Sequence, residues 1–432
     1  VLMRSPGPIF HFTRFLYNLS VSLFSVAIRM AVPFSNKAKL WVTGRYDWEN
    51  RYKSINSTDG KTLWMHVSSL GEFEQGRPVL ERFRQEYPDW HIILSFFSPS
   101  GFEIRKNYTG ADSVVYLPAD TPDNARAFLD IIRPDLVVFV KYDFWFNYLS
   151  ELSNRKIPVL LVSALFRKEQ PFFRWYGDLW RRMLTFFDEI QVQNLESAKL
   201  LKDAGFENMS VAGDTRVDRV LALAASAPVN TKVAAFTENS YPVFIAGSSW
   251  EADESIFLPV LKKERFKHIK IIIAPHDPSD RNVIRLLDEA PDPIRYSEYN
   301  PELHLDCRTL IIDNTGMLNT LYQYAHLAFI GGGFGKSIHN TLEPAAYGLP
   351  LIFGPEYGKF EEAVQFIARK GAVSIRNTEE MESALDLLSQ QTEREAASRA
   401  VGEYLKESEG ATTRAMEWFK RQISGDSKQK AY

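Results

Sequence analysis

From Leu63 onward the chain alternates short apolar runs with amphipathic stretches, and this alternation restricts the fold more than any other feature. The first set of runs is LWMHV, HIILSFF, SVVYL, DLVVFV, PVLLVS and EIQVQ, each followed by a helix-like segment. Strands that alternate with helical stretches pair in parallel, with the helices as crossovers. Near positions 222 to 240 the chain becomes small and polar, and the runs then resume as PVFIAG, KIIIAP, TLIID, LAFIGGG and PLIFG. At 432 residues there is room for two or three domains of about 150 residues each. The expected architecture is α/β, with two Rossmann-like domains at 46–225 and 240–425, a linker near 225–240 and a cleft that the two domains face. Ligands of open parallel sheets sit beyond the carboxyl ends of strands, so the loops after each run are where chemistry is sought. The polar tail SGDSKQKAY reads as frayed.

Residues 1–45 read as a membrane anchor. Positions 9 to 34 spell IFHFTRFLYNLSVSLFSVAIRMAVPF, and the 14 residues between Arg14 and Arg29 are broken only by Asn18 and three serines. As a helix that stretch rises about 21 Å, short of the roughly 30 Å hydrocarbon core. It spans only if Arg14 and Arg29 snorkel, and otherwise lies in the interface. Arg29, Lys37, Lys39, Arg45, Arg51 and Lys53 follow, which places the next domain on the cytoplasmic face. A signal peptide or a buried helix are the alternatives; no clean cleavage site follows, and Pro33 closes the run. A second aromatic concentration, LFRKEQPFFRWYGDLWRRMLTFF at 165–187, interleaves five basic residues with eight aromatics. It fits an anionic membrane surface or a phosphorylated lipid head group, or an amphipathic helix packed on its own domain.

Four strand-end loops carry candidate chemistry. In HVSSLGEFEQGRP, Glu72 stands beside Gly71 and suits a general base, but Ser69-Leu70-Gly71-Glu72 also matches a capping box. Glutamine separates the two, because it caps a helix yet takes no proton. In IGGGFGKSIHNTLEPAAYG, the P-loop spacing fails at Ile330, which would have to be glycine. Three glycines, Lys336, Ser337 and a helix expected near Asn340 can still hold one phosphate. Glu343 suits ribose hydroxyls or a cap on Asn340. Gly247, Ser248 and Ser249 after PVFIA offer amides and hydroxyls to an anion, or a plain N-cap. His276, with Asp277, suits a base or sugar, or a solvated loop.

Lys and Arg total 51 against 54 Asp and Glu, which gives no global field for nucleic acid. The single cysteine, Cys307, favours a reducing compartment. D-x-D, H-E-x-x-H, G-x-S-x-G and strict G-x-G-x-x-G patterns are all missing, which leaves a nucleotide site without a metal or cofactor motif.

Together HVSSLGE, YLPADTPDNARAFL, the Phe144-Trp145 region, VAGDTRVD, AGSSWEADE, DNTGMLNTLYQYAHLAFIGGGF and HNTLEPAAYGLPLIFGP resemble the Kdo (3-deoxy-D-manno-octulosonic acid) transferase family over nearly the whole chain. The resemblance implies a GT-B type glycosyltransferase with an acceptor domain followed by a donor domain. It implies metal-independent transfer of Kdo from CMP-Kdo to a lipid A precursor, with inversion, at the inner membrane. Glu72 takes the family's general-base position, and His339, Asn340 and Glu343 take its nucleotide-contact segment. Gly316 and Met317, in the quoted DNTGMLN segment, join the donor set. Where many members read E-T-E-L-W-P-N this chain has Lys141-Tyr142-Asp143-Phe144-Trp145-Phe146-Asn147, and where many read P-R-H-P it has Pro275-His276-Asp277-Pro278. The N-A-R-L-S segment is only loosely matched by Ser163-Ala164-Leu165-Phe166-Arg167. A UDP-sugar transferase or epimerase, and a membrane-anchored nucleotide-binding module, are the competing readings.

Overall fold

The computed structural model describes residues 8–55, 60–238 and 242–425. By its packing the chain divides into two units, Val1–Asp218 with Ser408–Tyr432, and Arg219–Glu407. Each unit is built on one seven-stranded, wholly parallel sheet. The first sheet holds β1 (Thr62–Val67), β2 (His91–Phe96), β3 (Ser113–Tyr116), β4 (Leu136–Val140), β5 (Val159–Ala164), β6 (Glu189–Val192) and β7 (Met209–Val211) in the order β3-β2-β1-β4-β5-β6-β7. The second holds β8 (Val243–Ser249), β9 (Lys270–Pro275), β10 (Pro293–Arg295), β11 (Thr309–Ile311), β12 (Leu327–Ile330), β13 (Leu351–Phe353) and β14 (Ala372–Ser374) in the order β10-β11-β9-β8-β12-β13-β14.

Every apolar run named above is a strand; β7 (MSV), β10 (PIR) and β14 (AVS) went unread because, unlike the equally short β11 and β13, they lie in no longer apolar run. Parallel strands are covered on both faces, which is why these runs are continuous rather than alternating. Along β1, Trp64 packs with Phe128, Phe139 and Tyr148 on one face, while Leu63, Met65 and Val67 join Phe73, Phe83, Trp418 and Phe419 on the other. Those last two aromatics come from the C-terminal helix Ala411–Ile423, which returns to the first unit and seats Phe419 against Phe83 at 4.6 Å. The expected second domain, 240–425, therefore gives up its last stretch to the first unit. The segment expected to be a plain linker contains the helix Thr231–Thr237, capped by Asn230 and anchored by buried Val233 and Phe236. Of the polar tail, residues 426–432 lie outside the described residues.

Among the described residues no helix is long and apolar enough to cross a membrane. The expected anchor is instead the 24-residue helix α1 (Pro8–Ala31). Phe10, Tyr17, Val21 and Ile28, at successive spacings of seven, four and seven, lie half-buried, and Phe10 and Tyr17 pack against the core of the first unit. Phe12, Phe15, Leu19, Leu23 and Met30 lie on the exposed side. Arg45, expected among surface cations, is buried; it donates to the carbonyls of Leu117 (2.8 Å), Trp41 (3.2 Å) and Phe97 (2.7 Å) and lies 4.1 Å over the Trp41 ring. Three carbonyls and an aromatic face explain why that charge was drawn inside.

Candidate active site

In the first sheet the strand order reverses between β1 and β4, and an open parallel sheet forms its ligand crevice at such a reversal. The loop after β1 carries Ser68, Ser69 and Glu72, and the loop after β4 carries Lys141 and Asp143. The helix Leu70–Glu86 starts here because Ser69 caps it. Glu72 N donates to Ser69 Oγ (3.4 Å), while Ser69 N (2.9 Å) and Ser68 N (2.7 Å) donate to Glu72 Oε2. The capping box is real, yet it does not use up this carboxyl. Ser68 N also donates to Asp143 Oδ2 (2.9 Å), and the Ser68 hydroxyl donates to Asp143 Oδ1, so one serine holds the two acids together.

Burial pushes both acids above the ordinary carboxylate range. Asp143 is moved well up, and the neighbouring charge of Glu72 adds to the effect of its burial. At Glu72 burial is opposed by the Ser68 and Ser69 amides, the Ser69 hydroxyl and the Lys141 ammonium. A proton held by the pair therefore belongs on Asp143, the more buried acid, and the charge on Glu72, where two amides and a cation favour it. Below them lies a chain of fixed polar groups. Trp145 Nε1 donates to His66 Nε2 (3.0 Å), His66 Nδ1 lies 2.8 Å from Ser95 Oγ, and Trp64 Nε1 donates to the same hydroxyl (2.7 Å). Burial pushes His66 down to about 3, so the ring is neutral; accepting at Nε2, it carries its proton on Nδ1. His66 Nε2 lies 3.7 Å from Asp143 Oδ2.

The second sheet repeats the geometry, with its reversal between β8 and β12. Gly247, Ser248 and Ser249 end β8, His276 follows β9, and Gly331 to Gly333 follow β12. His276 N donates to Ser249 O (2.9 Å), and the His276 ring stacks on Trp250 (4.2 Å) and on His339 (4.7 Å). Trp250 Nε1 donates to His339 Nε2 (3.1 Å), a bond that requires the neutral imidazole that burial favours. Asp253 Oδ2 accepts from Trp250 N (2.9 Å) and Gly332 N (2.8 Å), tying the glycine loop to the start of the helix Glu251–Leu261. Lys141 (φ 59°) and Ser248 (φ 52°) both hold left-handed backbone beside these reversals, which costs a non-glycine residue on the order of 1–3 kcal/mol.

Residues 46–219 match the family model of 3-deoxy-D-manno-octulosonic-acid transferase (Kdo transferase). The chain is 27% identical over 390 residues to the 3-deoxy-D-manno-octulosonic acid transferase of Haemophilus influenzae, covering 85% of this chain and 89% of that one. Against the Aquifex aeolicus enzyme of the same name it is 26% identical over 344 residues, covering 78% and 88%. The matched model and these relatives make the chain similar to the Kdo transferases over most of its length. In structure it is similar to the UDP-GlcNAc 2-epimerase of Neisseria meningitidis bound to UDP-GlcNAc, with a TM-score of 0.56, 14% identity, and coverage of 84% of this chain and all of that one. That likeness is one of fold alone.

Within the second unit the expected donor residues divide. Gly247 to Ser249, His276 and His339 gather at the β8 reversal, and Asn340 and Glu343 pair, Asn340 Nδ2 donating to Glu343 Oε1 (2.9 Å). Asn340 Oδ1 also accepts from Leu342 N (3.0 Å), a turn ahead of the helix, whose N-cap is Thr341 and has no side-chain capping bond. The helix that follows, Leu342–Ala346, is only five residues long and begins later than expected, so it contributes little dipole to the exposed Lys336 and to Ser337. Gly316 (φ 91°) and Met317 lie on a separate loop after β11, with open space around the glycine. The Ser249 hydroxyl is buried and donates to Glu254 Oε1 (2.7 Å), which withdraws it from anion binding. The glycines after β12 answer to packing. A Cβ on Gly331 would lie 2.1 Å from Ser248 O, and one on Gly333 would lie 2.6 Å from Gly354 N. Asp143, His66, Trp250 and Asp253 were not singled out from sequence. Asp143 was findable as the first acid after the DLVVFV strand; the other three show no local signal.

Proposed function

We propose that the protein transfers Kdo from CMP-Kdo to a lipid A precursor in lipopolysaccharide synthesis, with inversion, at the cytoplasmic face of the inner membrane. The observation that carries this reading is the Glu72–Asp143 pair at the β1/β4 reversal, two buried carboxyls joined through Ser68, of which Asp143 is moved further up and Glu72 has the Lys141 ammonium to favour its charged form. Such paired environments, pushed apart, are how one site provides a base at neutral pH. Glu72 takes the proton from the acceptor hydroxyl as that oxygen bonds to the anomeric carbon of Kdo. The bond from that carbon to the phosphate oxygen breaks, and its electron pair leaves with CMP. Neutral His66, Trp145 and Ser68 hold Asp143, and through Ser68 they hold the base.

The donor belongs to the second unit. Trp250, His276 and His339 offer a flat aromatic group to the pyrimidine, Ser248 and Lys336 offer donors to the phosphate, and the Glu343–Asn340 pair suits ribose hydroxyls. The loop of Gly316 and Met317 completes this set. Support for an interfacial enzyme comes from α1, whose outer side exposes Phe12, Phe15, Leu23 and Met30 at 45% or more. Phe10 of α1 packs under Arg182 (5.0 Å), on the helix that follows Trp175 and Tyr176; Trp175 is 90% exposed. The aromatic segment at 165–187 buries Phe172, Leu179 and Met183 and presents Trp175 outward, which supports a membrane-facing surface.

Incubation with CMP-Kdo and a tetraacylated lipid A precursor, followed by mass spectrometry, tests the reading. The expected product is heavier by whole Kdo units. Unchanged acceptor would overturn it, as would a melting temperature raised by UDP and left alone by CMP.

A further inference from the structure

The inner side of α1 reaches the candidate active site through hydrogen bonds as well as packing. The helix Phe146–Asn154 follows the β4 loop, and its N-cap residue, Trp145, makes no capping bond of its own. A helix leaves its first amides without partners, and buried ones must find acceptors elsewhere. Here they find them far away in sequence. Phe146 N donates to the Tyr17 hydroxyl (3.3 Å), Asn147 N to Asp120 Oδ2 (3.0 Å) and Tyr148 N to Asp120 Oδ1 (3.0 Å). The Tyr17 hydroxyl in turn donates to Asp120 Oδ2 (2.5 Å). Asn147 Nδ2 closes the cluster by donating to the Asp120 carbonyl (2.7 Å) and to Asn18 Oδ1 (2.9 Å), also on α1. Asp120 is 1% exposed and Asn147 4%, so water does not replace a lost partner at either.

Three residues before Phe146 stands Asp143, and the residue between the loop and the helix, Trp145, holds His66. The capping cluster, with the Trp145–His66 bond, therefore fixes one end of the segment that carries the acid beside Glu72; Ser68, which donates to Asp143, fixes the other. We propose that Tyr17 is a positioning residue, and that α1 is a working part of the catalytic scaffold, because its seating on Asp120 sets the placement of Asp143 against Glu72. The proposal rests on the reading of Glu72 as the base. The helix that meets the lipid on one side thus sets the base on the other, and an enzyme with α1 displaced is folded but slow.

The test uses the full chain carrying Tyr17→Phe, which keeps the ring against Phe146 and removes the hydroxyl, with Asp120→Asn as a second variant should the first fail to fold. Displacement of a reacting group by about 1 Å is enough for about a hundredfold in rate, so kcat is expected to fall about tenfold to a hundredfold. KM for CMP-Kdo should stay at the parental value, and the amides of Phe146 to Tyr148 should exchange hydrogen faster while those of β1 and β4 do not. A Tyr17→Phe enzyme with parental kcat overturns the proposal. So does a loss of kcat matched by a loss of folded protein, which would make Tyr17 structural only. If the parent transfers no Kdo, the functional reading falls by itself. The exchange measurement still decides the cluster, because equal protection of Phe146 to Tyr148 in parent and variant overturns it.

Discussion

The capping box at Glu72 leaves its carboxyl paired with a second acid, so it does not displace the proposed base, the reading that the sequence set against it. Glu72 Oε2 completes that box, and the same carboxyl pairs with Asp143 through the shared amide of Ser68. Glu72→Gln keeps an acceptor for both amides and removes the base. Transfer should fall about a hundred to ten thousandfold while the melting temperature stays within a few degrees, and kinetics with calorimetry on one preparation check both. Lys141 governs when the base is ready. Its ammonium favours the Glu72 carboxylate, so in Lys141→Met the acid limb of the kcat/KM profile should move to higher pH. A limb at the parental pH would remove Lys141 from the site's electrostatics. Glu72 was in view as a candidate because it lies in a short motif. Its partner was not, because Ser68 and Asp143 are 75 residues apart and no local pattern records a contact made only when β1 and β4 pair.

Among the elements, strands were the easiest to read and the glycine loop the most misleading. Continuous apolar runs have one good use in a chain like this, burial on both faces of a sheet. Three glycines in a row have several, and although the P-loop spacing fails at Ile330 they left the holding of one phosphate open. The close approach of Gly331 to Ser248 and of Gly333 to Gly354 gives a reason that needs no ligand. Gly333→Ala should therefore cost about 1–3 kcal/mol by overpacking, read as a lowered denaturation midpoint with or without nucleotide. A variant of parental stability that has lost donor binding would restore the cradle. The N-terminal helix shows the opposite lesson. Its apolar character was plain, but its two sides separate only when Tyr17 finds Asp120, 103 residues away.

At the scale of the molecule, the two sheets place their functional loops at the same point, the reversal of strand order, which accounts for why inspecting strand ends was productive. The boundary was harder to read, because no composition change marks Ser408, where the chain leaves the second unit for the first. Ala415, Met416, Trp418 and Phe419 are buried there, and Arg421 Nη2 meets Glu189 Oε2 at 2.7 Å. Trp418→Ala should destabilise the first unit by about 3–5 kcal/mol, visible as earlier proteolysis within residues 60–218 than within the second unit. During synthesis that same helix emerges only after the whole of Arg219–Glu407. The earliest-made half must then wait, with Phe83 and its neighbours unclosed, until the later half has been translated, so a stalled or prematurely terminated chain exposes the older half rather than the newer.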